Sequence, residues 1–270
     1  MLLSEVGYAR PASVDEAVRL LAEHDGARPL AGGQTIVNVM KARAASPDVL
    51  VDLADLEDLR AIAKTGDGAL ELGAMATYSQ VVTSPDVKDV RPMLAEVAAQ
   101  IADVQVRNRG TVGGNICSND PTNHLPPVMV AAGATMTIAG RDGEREVSAE
   151  EFFLGVYMTA VGPGELLTKV TLPARDGAGD GFAAITIGAD GTCIVNAAAT
   201  VSGGEARVAL GCVSATPVLL TAAAEDEAVR EAVGAAAIEP PSDVHGSADY
   251  RRHLAAVVAA RAVADAKEGS

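Results

Sequence analysis

Apolar residues recur at helical spacing through Val14, Ala17, Val18, Leu21 and Ala22, and Ser13 with Glu16 forms a capping box ahead of them. The spacing predicts an amphipathic helix over residues 14–24. Arg28–Ala31 reads as a short strand running into Gly32-Gly33-Gln34-Thr35, after which Ile36, Val37, Val39 and Met40 suggest a short helix. Leu50–Leu53 is a strand, and Ala61–Lys64 and Ala69–Leu72 around Gly66-Asp67-Gly68 make a hairpin. Thr77 and Gln80 form a second capping box; Leu94, Val97, Ala98 and Ile101 mark a helix after Pro92. The apolar run Val128–Ala132 precedes a strand at Thr135–Ile138 that turns at Gly140–Gly143. Ser148 and Glu151 cap a helical turn whose Phe152 and Phe153 belong to the core, and Leu167–Leu172 is a strand stopped by Pro173.

Residues 174–181, rich in Gly, Ala and Asp, read as a linker and a domain boundary. Beyond them Cys193–Val201 and Ala206–Val213 flank Gly203-Gly204 like a hairpin. Helices follow near 225–237 and 247–266, parted by Pro240-Pro241. There is no internal repeat, and the mixture without a clean strand–helix–strand alternation indicates α+β layers rather than a doubly wound sheet.

The pattern breaks at residues 105–127, a polar, glycine-rich stretch between two apolar segments, which reads as a loop. Gly113 and Gly114 give backbone freedom at positive φ and let amide N–H groups approach an anion, while Asn115, Ser118, Asn119 and Asp120 supply compact donors and acceptors. Those features suit the phosphate or sugar hydroxyls of a nucleotide; a solvated connection accounts for them equally well. The turn Gly32–Thr35, between a strand and a helix N-terminus, is a second place where unpaired N–H groups gather. Two such turns could clamp one diphosphate from either side, although composition does not show that they meet.

Composition narrows the classes. The chain has 270 residues and a formal net charge of −15, which argues against a polyanionic partner, and its 3% aromatic content with no Trp leaves little for stacking single-stranded nucleic acid. Cys117, Cys193 and Cys212 lack a C-x-x-C pairing, and His24, His124, His245 and His253 stand in no metal-ligand spacing. The N-terminus has no signal-peptide pattern and no segment is apolar for the length of a membrane span, so the expectation is a soluble cytoplasmic protein. Arg107 and Arg109 are read as salt-bridged at a domain seam, with phosphate neutralisation as the other option.

Ala31-Gly32-Gly33-Gln34-Thr35, together with Arg107–Asn115 and Asp120-Pro121, closely resembles the FAD-binding medium subunit of the molybdenum hydroxylase family, the group of carbon monoxide, xanthine and nicotine dehydrogenases. The likeness continues through Gly164–Thr168 and His245–Leu254. It implies a vanillyl-alcohol-oxidase-like, PCMH-type FAD-binding domain over residues 1–173, with subdomains of about 1–56 and 57–173, and a smaller α+β domain over 174–270. It also implies flavin contacts at Pro29, Leu30, Ala31, Gly32, Gly33, Gln34, Thr35, Ile36, Ile101, Thr111, Gly113, Gly114, Asn115, Asp120, His124 and Leu167. No metal ligand, general acid or general base is expected in this chain.

In such families electrons pass from a molybdenum cofactor in a large subunit, through [2Fe–2S] clusters in a small one, to FAD and an external acceptor, within a dimer of heterotrimers. Two departures stand out. His124 replaces an Asp, and Phe182–Gly191 lacks the Lys and Arg of many relatives, with Ala183 where a Lys is expected. Rival readings are a stand-alone FAD-dependent oxidase or reductase and a flavin-free scaffold subunit.

Overall fold

The first sheet owes its existence to one helix. Val14–Glu23 (α1) follows the Ser13 cap, which accepts the Glu16 N–H, and buries Ala17, Val18 and Leu21 in one cluster with Ala27 of β2 (Ala27–Leu30) and Val51 of β3 (Val49–Asp52), beside which β1 (Gly7–Ala9) completes the sheet. These strands are parallel in the order β1-β3-β2, and α2 (Ile36–Lys41) lies between β2 and β3 in sequence. The computed structural model describes residues 3–188 and 191–269.

A short 3-10 turn at Glu57–Arg60 leads to the second unit. Its strands are β4 (Ile62–Lys64), β5 (Leu70–Gly73), β6 (Thr135–Gly140), β7 (Gly143–Ser148) and β10 (Leu166–Leu172), antiparallel in the order β4-β5-β10-β6-β7. Between β5 and β6 come six short helices: α3 (Tyr78–Thr83), α4 (Pro85–Val90), α5 (Pro92–Gln100), α6 (Val104–Arg109), α7 (Val112–Ser118) and α8 (Leu125–Ala131). Thr77 and Gln80 form a reciprocal capping box on α3. A turn of helix, α9 (Ala149–Phe152), and a small hairpin of β8 (Phe153–Gly155) and β9 (Met158–Thr159) complete this unit. Phe152 and Phe153 are buried edge to face, as their place in the sequence predicts.

The third unit is an antiparallel sheet, β11 (Gly179–Ile187), β12 (Thr192–Ser202), β13 (Glu205–Gly211) and β14 (Val218–Ala223), with α10 (Asp226–Ala235) and α11 (Ala248–Glu268). One face of the sheet, through Phe182, Ala198, Ala209 and Leu219, packs on the second unit. The other, through Ala197, Ala199, Val208 and Leu210, packs on the cluster that includes α10 and α11. A sheet covered on both sides explains why β12 is an apolar run with no alternation.

Two expectations need correction. Residues 105–127 are not a loop: Asp103 caps α6, Thr111 caps α7, and Pro126 and Pro127 open α8, so capping chemistry overrides the low apolar content. Nor are residues 174–181 a free linker. They end in β11, and Asp180 is buried, receiving Arg91 Nη1 at 2.8 and 2.7 Å and the Thr200 hydroxyl at 2.8 Å. Arg91 Nη2 also donates to the Pro173 carbonyl at 2.6 Å, so the connection is tied down across the second and third units.

Candidate functional site

The two glycine segments meet. Strand β2 delivers Gly32 onto the junction of α6 and α7 so closely that a methyl at Gly32 would lie 2.0 Å from the Arg109 carbonyl oxygen and 2.9 Å from the Gly110 Cα. On the same side, a methyl at Gly114 would stand 3.8 Å from the Ala31 side chain. Gly33 has φ of 74°, the left-handed region where glycine carries no steric cost. Gln34 Nε2 donates to the Gly32 carbonyl at 3.0 Å and Asn38 Nδ2 to the Gln34 carbonyl at 2.8 Å, holding the turn from its carbonyl side. Its amide side is different: the N–H groups of Gly32, Gly33, Gln34 and Thr35 have no acceptor among the described residues. Pro29 and Leu30 end β2, and Ile36 begins α2, so residues 29–36 form one continuous rim.

The second segment works otherwise than its glycines suggest. Gly113 and Gly114 lie inside α7 with ordinary helical backbone. Their N–H groups are already used, Gly113 on the Ala74 carbonyl at 2.8 Å and Gly114 on the Thr111 hydroxyl at 3.1 Å. Gly113 is needed for approach, since a methyl there would sit 2.7 Å from both Cβ and O of Ala74. Thus the first turn offers amides, and the second supplies a close-packed floor with the Asn115 side chain.

Asn115 is buried and its Oδ1 has no hydrogen-bond partner. A buried orphan acceptor is expensive unless a ligand donates to it. Beside it Tyr78 is pushed up to about 12 by burial, against the hydrogen bond from Asn115, and therefore stays a neutral phenol.

Downstream, Asp120 Oδ1 accepts from the Thr122 N–H and hydroxyl at 2.9 and 2.7 Å, and its Oδ2 from Tyr157 Oη at 3.1 Å. Asn119, in left-handed backbone at φ 38°, donates to the Gly155 and Met158 carbonyls and so moors the β8–β9 hairpin to the end of α7. Ile101 caps α5 and packs against the apolar cluster of the second unit, while Leu167, at an irregularity of the β10–β6 ladder, is buried within that cluster. His124 faces away from the glycine turns: it is buried, with Nδ1 accepting from Asn196 Nδ2 at 3.2 Å and its ring 5.3 Å from Phe182. Arg107 and Arg109 make no ion pair among the described residues, contrary to the seam expected. Arg107 instead donates to the Ile101 and Ala102 carbonyls, because the exposed end of α5 leaves those acceptors unmet. Ala183 packs on the cluster beneath α10 and α11, while Ala189 and Asp190 of that cation-poor segment lie outside the described residues.

Sequence reasoning missed Ala74, Tyr78, Asn123 and Tyr157, and read Asn119 as a ligand donor rather than as the mooring of the β8–β9 hairpin. The Tyr78 ring covers Gly110, and Asn123 Nδ2 holds the Asn115 carbonyl and the Ser118 hydroxyl at 3.0 Å each. Only the Asn119-Asp120-Pro121 run carried a signal, that of a left-handed helix stop.

Residues 4–175 match the family model described as the FAD binding domain in molybdopterin dehydrogenase. The chain belongs to this family. It is 37% identical to the carbon monoxide dehydrogenase medium chain of Afipia carboxidovorans, over 99% of this chain and 98% of that one. It is 33% identical to the nicotine 6-hydroxylase medium subunit of Paenarthrobacter nicotinovorans, over 98% and 99% of the two chains. The fold is similar to the Cu,Mo-CO dehydrogenase crystal structure, with a TM-score of 0.94 at 35% identity over the whole of both chains. It is similar also to quinoline 2-oxidoreductase from Pseudomonas putida 86, with a TM-score of 0.91 at 33% identity, covering 100% and 99%.

The molecule is thus the FAD-binding medium subunit of an oxidoreductase, made to work with a small and a large partner subunit. Unpartnered amides for a diphosphate and an orphan acceptor for a sugar hydroxyl fit that cofactor. No helix among the described residues is long and apolar enough to cross a membrane.

Proposed function

We propose that this chain receives electrons from [2Fe–2S] clusters of the small subunit, fed by the molybdenum cofactor of the large subunit, and passes them to an external acceptor, within a cytoplasmic dimer of heterotrimers. The observation that carries the reading is the seating of Gly32 on Arg109 and Gly110, which brings the first turn's unpartnered amides over the Thr111–Asn115 floor. Residues 1–173 act as the FAD-binding domain, with subdomains of about 1–56 and 57–173, and 174–270 as the C-terminal domain.

Residues 29–36 would border the diphosphate, with the backbone N–H groups of Gly32, Gly33, Gln34 and Thr35 donating to it. Thr111, Gly113, Gly114 and Asn115 would border the ribityl chain, and Ile101 and Leu167 would wall the ring. Asp120 would accept from the cofactor's polar groups, and His124 would hold that loop in register from the C-terminal side. Bound FAD supplies one- and two-electron redox chemistry, and the protein's part is placement, exclusion of water and electrostatics. Relatives named for carbon monoxide, nicotine and quinoline share this architecture, which favours a substrate pocket in the large subunit.

The test is to purify the chain from its native cells. Flavin absorbance, two further chains, iron and molybdenum should accompany it. A colourless chain that stays alone and takes up no added FAD would overturn the proposal.

A further inference from the structure

Strand β12 is apolar from Cys193 to Val201 except at Asn196 and Thr200. Thr200 is half-buried and answers Asp180, but Asn196 is fully buried. A buried amide destabilises such a run unless its hydrogen bonds are met. Asn196 stands mid-sheet, opposite Ala184 on β11 and Gly211 on β13, on the face that Ala198 presents to the second unit. Bare Gly211 makes room for its Oδ1, since a methyl there would lie 2.1 Å from that oxygen. Its Nδ2 reaches across to the Asn123 carbonyl and to His124 Nδ1, each at 3.2 Å, with the Cys193 sulfur at 3.4 Å beside them.

Both acceptors belong to the loop that follows α7, and that loop finishes the helix. The Asn119 N–H bonds the Ile116 carbonyl at 3.2 Å, three residues back, which leaves the Asn115 carbonyl without its helical donor. Asn123 Nδ2 and the Ser118 hydroxyl take that donor's place at 3.0 and 2.8 Å. Asn123 is itself held at both main-chain ends, its N–H on the Asp120 carbonyl at 2.9 Å and its carbonyl on Asn196. A continuous line of hydrogen bonds thus runs from the middle of the C-terminal sheet through Asn123 to the main chain of Asn115, whose Oδ1 is the orphan acceptor of the flavin floor. Asn196 lies outside residues 1–173 and so belongs to the other domain.

We propose that Asn196 is a positioning residue for the flavin, through which the C-terminal unit fixes the end of α7 and the Asp120 loop in the geometry that receives the cofactor. This role rests on the flavin contacts proposed above for Asn115 and Asp120. Without the Asn196 amide the half-buried Asn123 carbonyl has no donor, and Asn123 is free to leave the Asn115 carbonyl. The orphan Oδ1 of Asn115 is then no longer held where a ligand hydroxyl meets it. Packing lost on the opposite face of the same sheet does not reach Asn115, because no bond of this line passes through that face.

The experiment strips flavin from the full-length protein, together with the chains that co-purify with it, and titrates FAD back at a temperature where circular dichroism shows every variant folded. Asn196→Val keeps bulk in the strand without a donor, and Asn123→Ala breaks the line one step later. Each should weaken FAD binding about fivefold, and the double variant should lose no more than either alone, since both cut one line. Val229→Ala, which removes packing between α10 and the opposite face of the sheet, should stay within about twofold of wild type. If the valine variant does not fold, Asn196→Ser, whose hydroxyl falls short of the Asn123 carbonyl, takes its place. Wild-type affinity in the position-196 variant, additive losses in the double variant, or an equal loss in Val229→Ala would each overturn the role. A wild type that takes up no FAD would instead sink the flavin reading and this role with it, so the two failures are distinguishable.

Discussion

A methyl group at Gly32 would meet a main-chain carbonyl at 2.0 Å, and main chain cannot swing aside as a side chain can. Gly32→Ala should therefore displace the turn from the α6–α7 junction, costing about 1–3 kcal/mol or more in stability and most FAD affinity. Gly33→Ala meets only ordinary contacts, 3.4 Å or more, and its penalty is the left-handed backbone alone, about 1 kcal/mol. Thermal unfolding with flavin-fluorescence titration of both variants checks the order; an equal loss would mean the close approach to Arg109 is not what positions the turn.

Tyr78 adds a pH dependence. Its phenol ionises near 10 when unfolded and about 12 when folded, so the fold favours the protonated form. Its contribution is complete below pH 10 and is lost as pH rises towards 12, a change of roughly 2–3 kcal/mol. Stability measured from pH 8 to 12 should fall over that window in the wild type and fall less in Tyr78→Phe.

At the scale of elements, the polar stretch 105–127 carries the lesson. Few apolar residues and several glycines make it read as a loop, yet Asp103 and Thr111 each stand three residues before an N–H that they accept. Capping signals are local and were legible; the glycines hid them, since their low helix propensity is outweighed by packing against Ala74. Thr111→Ala should cost about 1 kcal/mol by loss of the α7 cap, and Thr111→Ser should restore most of it. Calorimetric melting of the two variants measures this, and equal melting temperatures would remove the cap from the account. The β11 and β14 strands went unread, because Gly179–Ile187 begins among linker-like residues and acquires its partner only from β12.

Across the whole molecule, the fastening between the second and third units is the ion pair of Arg91 and Asp180, both wholly buried and at 2.7 Å. A buried charge left without its partner is costly, about 3–5 kcal/mol, whereas replacing both partners with apolar groups is far cheaper. Asp180→Ala should therefore destabilise strongly, and Arg91→Met with Asp180→Leu much less. Denaturant unfolding of the single and double variants tests the coupling, and additive losses would show that the two charges act independently.

Periodicity and capping alone determined most of the helices, the β4–β5 and β12–β13 hairpins and the α+β class, because those signals depend on neighbours a few residues apart. The resemblance in the two glycine motifs went further, to the family and its cofactor. What only the tertiary structure decided is that Gly32 rests on Arg109, that the second motif's amides are already spent, and that His124 pairs with Asn196 of β12 rather than with the glycine turns. The first and last of these join residues more than seventy positions apart, and contact over such separations is set by how whole layers pack.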